Sequence, residues 1–124
     1  MRILVVEDSD SIRSMIRTFM AARGHEVEAV ATGAKGVDAA LSSPPDAILL
    51  DLHLPGSFDG LEVCRRLRAS EATRRVPIIV ISAAADDGVK VRALEAGATA
   101  YYTKPFSPTA LLKELESTSG SHRV

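Results

Sequence analysis

Ile3-Leu4-Val5-Val6-Glu7-Asp8-Ser9-Asp10-Ser11-Ile12-Arg13-Ser14-Met15-Ile16-Arg17-Thr18-Phe19 is the stretch that decides the fold. Its first four residues are apolar without interruption and mostly β-branched. That is the pattern of a strand covered on both faces of a parallel sheet. Past the acidic turn the period changes. Ile12, Met15, Ile16 and Phe19 fall at i, i+3, i+4 and i+7, which places them on one face of a helix.

The same alternation continues along the chain. Short apolar runs recur at 27–31, 47–50, 78–81 and 100–102. Val37, Ala40 and Leu41 mark a second helix. Leu61, Cys64 and Leu67 mark a third, opened by Asp59-Gly60-Leu61-Glu62 in the manner of a capping box. Val91, Leu94 and Ala98 mark a fourth, with Gly97 as its stop signal. Leu111, Leu112 and Leu115 mark a fifth, with Ser107 as cap and Pro108 in the first helical position. Five strands alternating with five helices predict an α/β domain with a doubly wound parallel sheet and right-handed crossovers. A dinucleotide-binding half-fold and a flavodoxin-like sheet ordered 2-1-3-4-5 both fit that alternation. The second is favoured because no glycine-rich fingerprint follows any strand.

Composition narrows the class. The 124 residues suit one domain, and 46% hydrophobic with 25% charged residues is ordinary for a globular protein. A formal net charge of -1 gives no reason to expect direct nucleic-acid or membrane binding. Cys64 is the only cysteine, which excludes an internal disulfide and a cysteine-based zinc cage. The apolar run after Arg2 is too short for a signal peptide, and no run approaches a membrane span, so a cytoplasmic location is expected.

Ligands of open α/β sheets bind at the carboxyl ends of the strands. Strand 1 delivers Glu7 and Asp8 there, strand 3 Asp51, strand 4 Ser82, and strand 5 Lys104 followed by Pro105. In the 2-1-3-4-5 order strands 1, 3, 4 and 5 are successive neighbours, each about 4.8 Å from the next. Three carboxylates brought together repel unless a cation offsets them, and oxygen-only ligands in an open site suit Mg²⁺. A carboxylate can attack phosphorus to form an aspartyl phosphate. Mg²⁺, Lys104 and the Ser82 hydroxyl would then serve the equatorial oxygens.

Glu7-Asp8, Asp51-Leu52-His53-Leu54-Pro55, Ile81-Ser82-Ala83 and Thr103-Lys104-Pro105-Phe106, in that order at those strand ends, resemble the receiver domain of two-component response regulators. The likeness covers about residues 2–116. It implies one receiver domain over 1–118, with 119–124 as a flexible tail or a shortened linker. It implies Asp51 as phosphoacceptor and Mg²⁺ held by Asp8, Asp51 and the His53 carbonyl, with Glu7 acting through water. It implies Lys104 paired with Asp51 ahead of a cis proline, and Ser82 and Tyr101 as switch residues reporting to the face of helix 4, strand 5 and helix 5. Ala84, two past Ser82, would leave water access open, and the family's side chain at the position of His53 faces the pocket and influences hydrolysis of the phosphate, while the imidazole itself reads as a surface group rather than a metal ligand. The implied partners are a sensor histidine kinase or phosphotransfer protein, and a downstream effector or output domain. The implied assembly is a monomer or a dimer linked to phosphorylation, and no steady enzymatic turnover is expected.

Two departures from the family pattern stand out. The 54–60 loop is one residue longer than its commonest form. Gly97-Ala98-Thr99-Ala100 lacks the acidic pair of winged-helix relatives, which weighs against their salt-bridged dimer. Plainer readings stand beside these: Asp51, Glu7 and Asp8 as helix caps, Ser82 as a turn residue, Tyr101 as a half-exposed strand aromatic. Cys64 reads as inert core, and Arg65, Arg66, Arg68, Arg74 and Arg75 as a solvated face, with docking of a partner as the lesser alternative. A flavin module is disfavoured because Glu7 and Asp8 would repel phosphate. A haloacid-dehalogenase-type hydrolase would carry a second aspartate where His53 stands.

Overall fold

The computed structural model of the chain describes residues 1–56, 59–83 and 87–123, with side-chain surroundings through 118. Five strands, β1 Arg2–Val6, β2 Glu26–Val30, β3 Ala47–Asp51, β4 Ile78–Ser82 and β5 Ala100–Thr103, form one parallel sheet in the order β2-β1-β3-β4-β5. The helices are α1 Asp10–Ala21, α2 Gly33–Ser42, α3 Gly60–Arg68, α4 Asp87–Ala96 and α5 Pro108–Arg123. The predicted (βα)₅ topology is the observed one.

Strand side chains alternate between two cores, as the pleat requires. Leu4, Val6, Ile48, Leu50, Ile78 and Val80 pack with Val37, Ala40, Val63, Cys64 and Leu67 of α2 and α3. Ile3, Val5, Leu49, Ile79 and Ile81 pack with Ile16, Met20, Leu111, Leu112 and Leu115 of α1 and α5. Every residue of β3 and β4 is buried, and each large aliphatic side chain so placed stabilises by about 1.5–3 kcal/mol.

The caps are where the sequence places them. Asp59 accepts from the Glu62 N–H at 3.1 Å and Ser107 from the Ala110 N–H at 3.2 Å, with Pro108 opening α5. Glu62 itself turns outward to Arg66 at 3.0 Å. At α1 the cap is Ser9, whose hydroxyl accepts from the Ile12 N–H, so neither Glu7 nor Asp8 is spent on capping.

Three helix faces differ from expectation. Met15 and Leu41 lie 39% and 42% exposed, at the edges of their stripes. In α4 the predicted pair Val91 and Leu94 is 52% and 42% exposed, and Ala93 is buried with Val89 and Ala96 beside it. The spacing misled because Ala98, its third member, lies beyond the helix end. Gly97, at φ +118, breaks the helix before it. At the carboxyl end α5 is Pro108–Arg123, so its last residues fall in the 119–124 stretch expected as a flexible tail or a shortened linker.

Candidate functional site

Parallel strands bring their carboxyl ends to one rim. There β1 leads into Glu7 and Asp8, β3 ends on Asp51, β4 ends on Ser82, and β5 leads into Lys104. The loop after β3 is pressed onto the start of α3. The Gly60 N–H donates to the Leu52 carbonyl at 3.0 Å, and a Cβ at Gly60 would lie 2.5 Å from the Asp51 carbonyl oxygen. Only glycine allows that approach, and the approach fixes the backbone that carries Asp51.

The Asp51 carboxylate is buried and held from two sides. Its Oδ1 accepts from the His53 backbone N–H at 3.0 Å, and its Oδ2 accepts from Lys104 Nζ at 3.2 Å. Lys104 Nζ also donates to Glu7 Oε1 at 2.9 Å, while Glu7 Oε2 accepts from the Ser9 N–H at 3.1 Å. Side-chain exposure is 1% at Glu7, 4% at Asp51 and 22% at Lys104. Desolvation alone would lower the Lys104 pKa. The hydrogen bond to Glu7 and the charge of Asp51 outweigh it, leaving the ammonium above the ordinary lysine value. The Lys104-Pro105 peptide is cis, as the resemblance implies.

Oxygens of Glu7, Asp8 and Asp51 lie within 4.8 Å of one another, and Asp8 is exposed, so the cluster opens to solvent on its side. One ammonium against three carboxylates leaves the set two charges negative. An all-oxygen, two-fold negative, half-open set is chemically suited to a hard divalent cation such as Mg²⁺. Asp51 and Glu7 have part of their acceptor capacity engaged by Lys104, and Asp8 is the most accessible donor.

The remaining predicted residues are placed as follows. Ser82 is fully buried on β4, and its carbonyl accepts the Lys104 N–H at 2.8 Å. Tyr101 is half-buried on β5, against the core that α4 covers. The His53 side chain is exposed, as expected. Ala84 lies outside the described residues, as does part of the 54–60 loop.

Sequence reasoning missed contacts made by three side chains. Lys104 pairs with Glu7 as well as with Asp51. Arg13 donates to the Glu7 carbonyl at 2.8 Å and also pairs with Asp10. Arg68, read as part of a solvated face, is turned inward. Its Nε donates to the Gly97 carbonyl at 2.9 Å and its Nη1 to the Val76 and Arg74 carbonyls at 2.6 and 3.1 Å. Burial lowers its pKa from the ordinary arginine value. Free carbonyls at helix and loop ends leave no mark in sequence, so only the Arg13 spacing from Asp10 offered a signal.

Comparison with known proteins agrees with this geometry. The family described as response regulator receiver domain matches residues 3–116. The transcriptional regulatory protein ResD of Bacillus subtilis is 37% identical over 95% of this chain and 50% of its own length. The phosphate regulon transcriptional regulatory protein PhoB of Rhizobium meliloti is 36% identical over 94% of this chain and 51% of its own length. The chain therefore spans about half the length of these curated relatives. Among solved structures, the receiver domain of the sensor histidine kinase PA1611 of Pseudomonas aeruginosa, with magnesium coordinated in its active-site cleft, superposes with TM-score 0.88 at 38% identity, covering 96% of this chain and 97% of that one. The chemotaxis protein CheY4 of Vibrio cholerae superposes with TM-score 0.87 at 31% identity, covering 94% and 97%. From the sheet order to the acidic rim, the chain belongs to the receiver domains of two-component response regulators.

Proposed function

We propose that this receiver domain takes a phosphoryl group onto Asp51 from a phosphohistidine of a sensor kinase or phosphotransfer protein, and that the new charge changes its surface. The observation that carries the reading is the buried Asp51 carboxylate, held by Lys104 at 3.2 Å beside Glu7 and Asp8 at the open rim of the sheet. An Asp51 oxygen forms the bond to phosphorus as the donor's P–N bond breaks, and the electron pair leaves with the imidazole nitrogen. Asp8, Asp51 and the His53 carbonyl would hold Mg²⁺, with Glu7 behind them. Bound there, it supplies positive charge to the transferring oxygens. Lys104 supplies a second positive charge, and the Ser82 hydroxyl a hydrogen bond.

Phosphorylation takes the acceptor from one negative charge to roughly two and adds three strong acceptor oxygens. Lys104 and Ser82 are drawn toward them, Tyr101 moves into the space beside Ser82, and the α4-β5-α5 face is biased toward a second state. That Val91 and Leu94 of α4 are exposed supports this face as the readout for an effector or output domain. A groove of about 400 Å³ lined by Ile12, Met15, Lys104, Pro105 and Phe106 lies beside the acceptor and supports docking of the donor there. No described helix is long and apolar enough to cross a membrane, in keeping with a cytoplasmic switch. The domain works stoichiometrically, as a monomer or as a dimer linked to phosphorylation, and residues 1–118 carry the function.

The test is incubation with a small acyl phosphate and Mg²⁺, read by intact mass. Wild type is expected to gain one phosphoryl group, and Asp51→Asn none. A gain in both proteins, or in neither, overturns the assignment.

A further inference from the structure

The arginine run of α3 is not absorbed by the phosphoacceptor site. Together with α4 it builds a groove of about 620 Å³, lined by Arg65, Arg68, Ala69, Arg92, Glu95 and Ala96. Three of the six are arginines and one is acidic. They play different parts. Arg68 is committed to the carbonyls of Gly97, Val76 and Arg74, and so ties the end of α3 to the turn after α4. The floor of the groove is thereby fixed. Arg65 and Arg92 stand exposed on its two walls. The nearest carboxylate to Arg65 is Glu62, at 3.5 Å and exposed, a pairing worth little in water.

We infer that this groove docks an acidic segment of a partner protein. Charge complementarity selects the occupant. Guanidinium forks on opposite walls suit carboxylates spaced along a chain, each taken by charge-assisted and often bidentate hydrogen bonds. A compact phosphate or a nucleotide fits less well. The lining offers no aromatic ring for a base and no helix start for a phosphate. The alanines and the arginine stems give the segment's aliphatic parts a surface to cover. The groove uses none of Glu7, Asp8, Asp51 or Lys104, so the inference does not depend on the phosphoacceptor reading.

The probe is a soluble peptide of repeated Glu-Ala units, titrated into the full chain at low ionic strength and followed by backbone amide NMR. A Lys-Ala peptide of equal length is the charge control. The Glu-Ala peptide is expected to shift amides of α3 and α4, and to weaken several-fold as salt rises toward 0.5 M, roughly where screening becomes short-ranged. Doubling the charge reversal, Arg65→Glu with Arg92→Glu, is expected to lower affinity by about tenfold or more, as loss of two charge-assisted contacts should. Lys35→Glu with Lys113→Glu, exposed on α2 and α5, makes the same change in net charge and is expected to leave binding nearly intact. Asp51→Asn is expected to bind as wild type does. Equal loss in both double variants would reduce the effect to net charge and overturn the proposal. So would shifts centred away from α3 and α4, or a groove that takes pyrophosphate and ignores the peptide.

Discussion

Lys104→Met tests the electrostatic construction of the site. The replacement keeps side-chain length and volume close and removes the charge. What remains is Glu7 and Asp51, both buried, with oxygens within 4.8 Å of each other. At an effective dielectric of about 20, two unit charges at that separation repel by roughly 3 kcal/mol. Removing one member of a buried ion pair commonly costs about 3–5 kcal/mol. Lys104 is 22% exposed, so part of its attraction is already screened by water. The net expectation is a loss of about 2–4 kcal/mol at neutral pH without divalent ions, a large share of a typical total near 5–15 kcal/mol. Urea unfolding with a chelator present measures it. The pH dependence gives a second check. Lys104 has a raised pKa in the folded protein, so its stabilising contribution is complete below the ordinary lysine value of 10.5 and is lost as pH rises through the higher folded value. The gap between wild type and variant is therefore expected to narrow only in strongly alkaline solution. Mg²⁺ is expected to narrow it at neutral pH, by stabilising the variant more than the wild type. A variant within about 0.5 kcal/mol of wild type at neutral pH, the scatter of an ordinary surface substitution, with a gap insensitive to alkali and to Mg²⁺, would refute the reasoning.

Asp51→Asn relieves the same repulsion while Lys104 keeps Glu7 as partner, so its stability is expected to equal or exceed wild type by up to about 1 kcal/mol; a urea midpoint clearly below wild type would contradict this. Gly60→Ala would push a methyl to 2.5 Å from the Asp51 carbonyl oxygen and 2.6 Å from the Leu52 Cα. Neither atom is the end of a flexible side chain, so a cost of about 2–4 kcal/mol is expected, with slower phosphoryl uptake, measured by unfolding and by intact mass. Burial pushes the Cys64 thiol from an ordinary 9.0 to about 11, so a thiol reagent at neutral pH is expected to label it only after unfolding. Because the folded state favours the protonated thiol, this residue's contribution is complete below pH 9.0 and is lost as pH rises toward about 11, which comparison with Cys64→Ala checks.

What the sequence made legible depended on which side chains carried the signal. The strands were plain because β3 and β4 are buried on both faces and so read as unbroken aliphatic runs. Once they were placed, their order alone put Asp8, Asp51, Ser82 and Lys104 at one rim. Helix α4 was legible as a helix but not in its orientation. It anchors through Ala93, which carries almost no hydrophobic signal, and leaves its larger Val91 and Leu94 outside. Periodicity weighs side chains by size, so a helix anchored through an alanine is read with the wrong face inward.

The pairing of Lys104 with Glu7 was hidden for a different reason. Strands β1 and β5 lie three places apart in the sheet, and a neighbour rule joins Lys104 to Asp51 sooner than to a glutamate on the far side of it. Only the reach of the lysine stem over the rim makes both contacts, at 2.9 and 3.2 Å. Arg68 adds the complementary lesson. Within a run of arginines, sequence cannot separate a guanidinium that closes off backbone carbonyls from one that faces water. The difference is whether a neighbouring turn leaves acceptors within reach. Here the turn at Gly97 does, and the Arg68 side chain lies so close that a Cβ at Gly97 would stand 2.5 Å from its Cγ. The inward turn of that one side chain gives the α3–α4 groove its fixed floor, and it leaves Arg65 and Arg92 as the arginines of its lining still open to a partner.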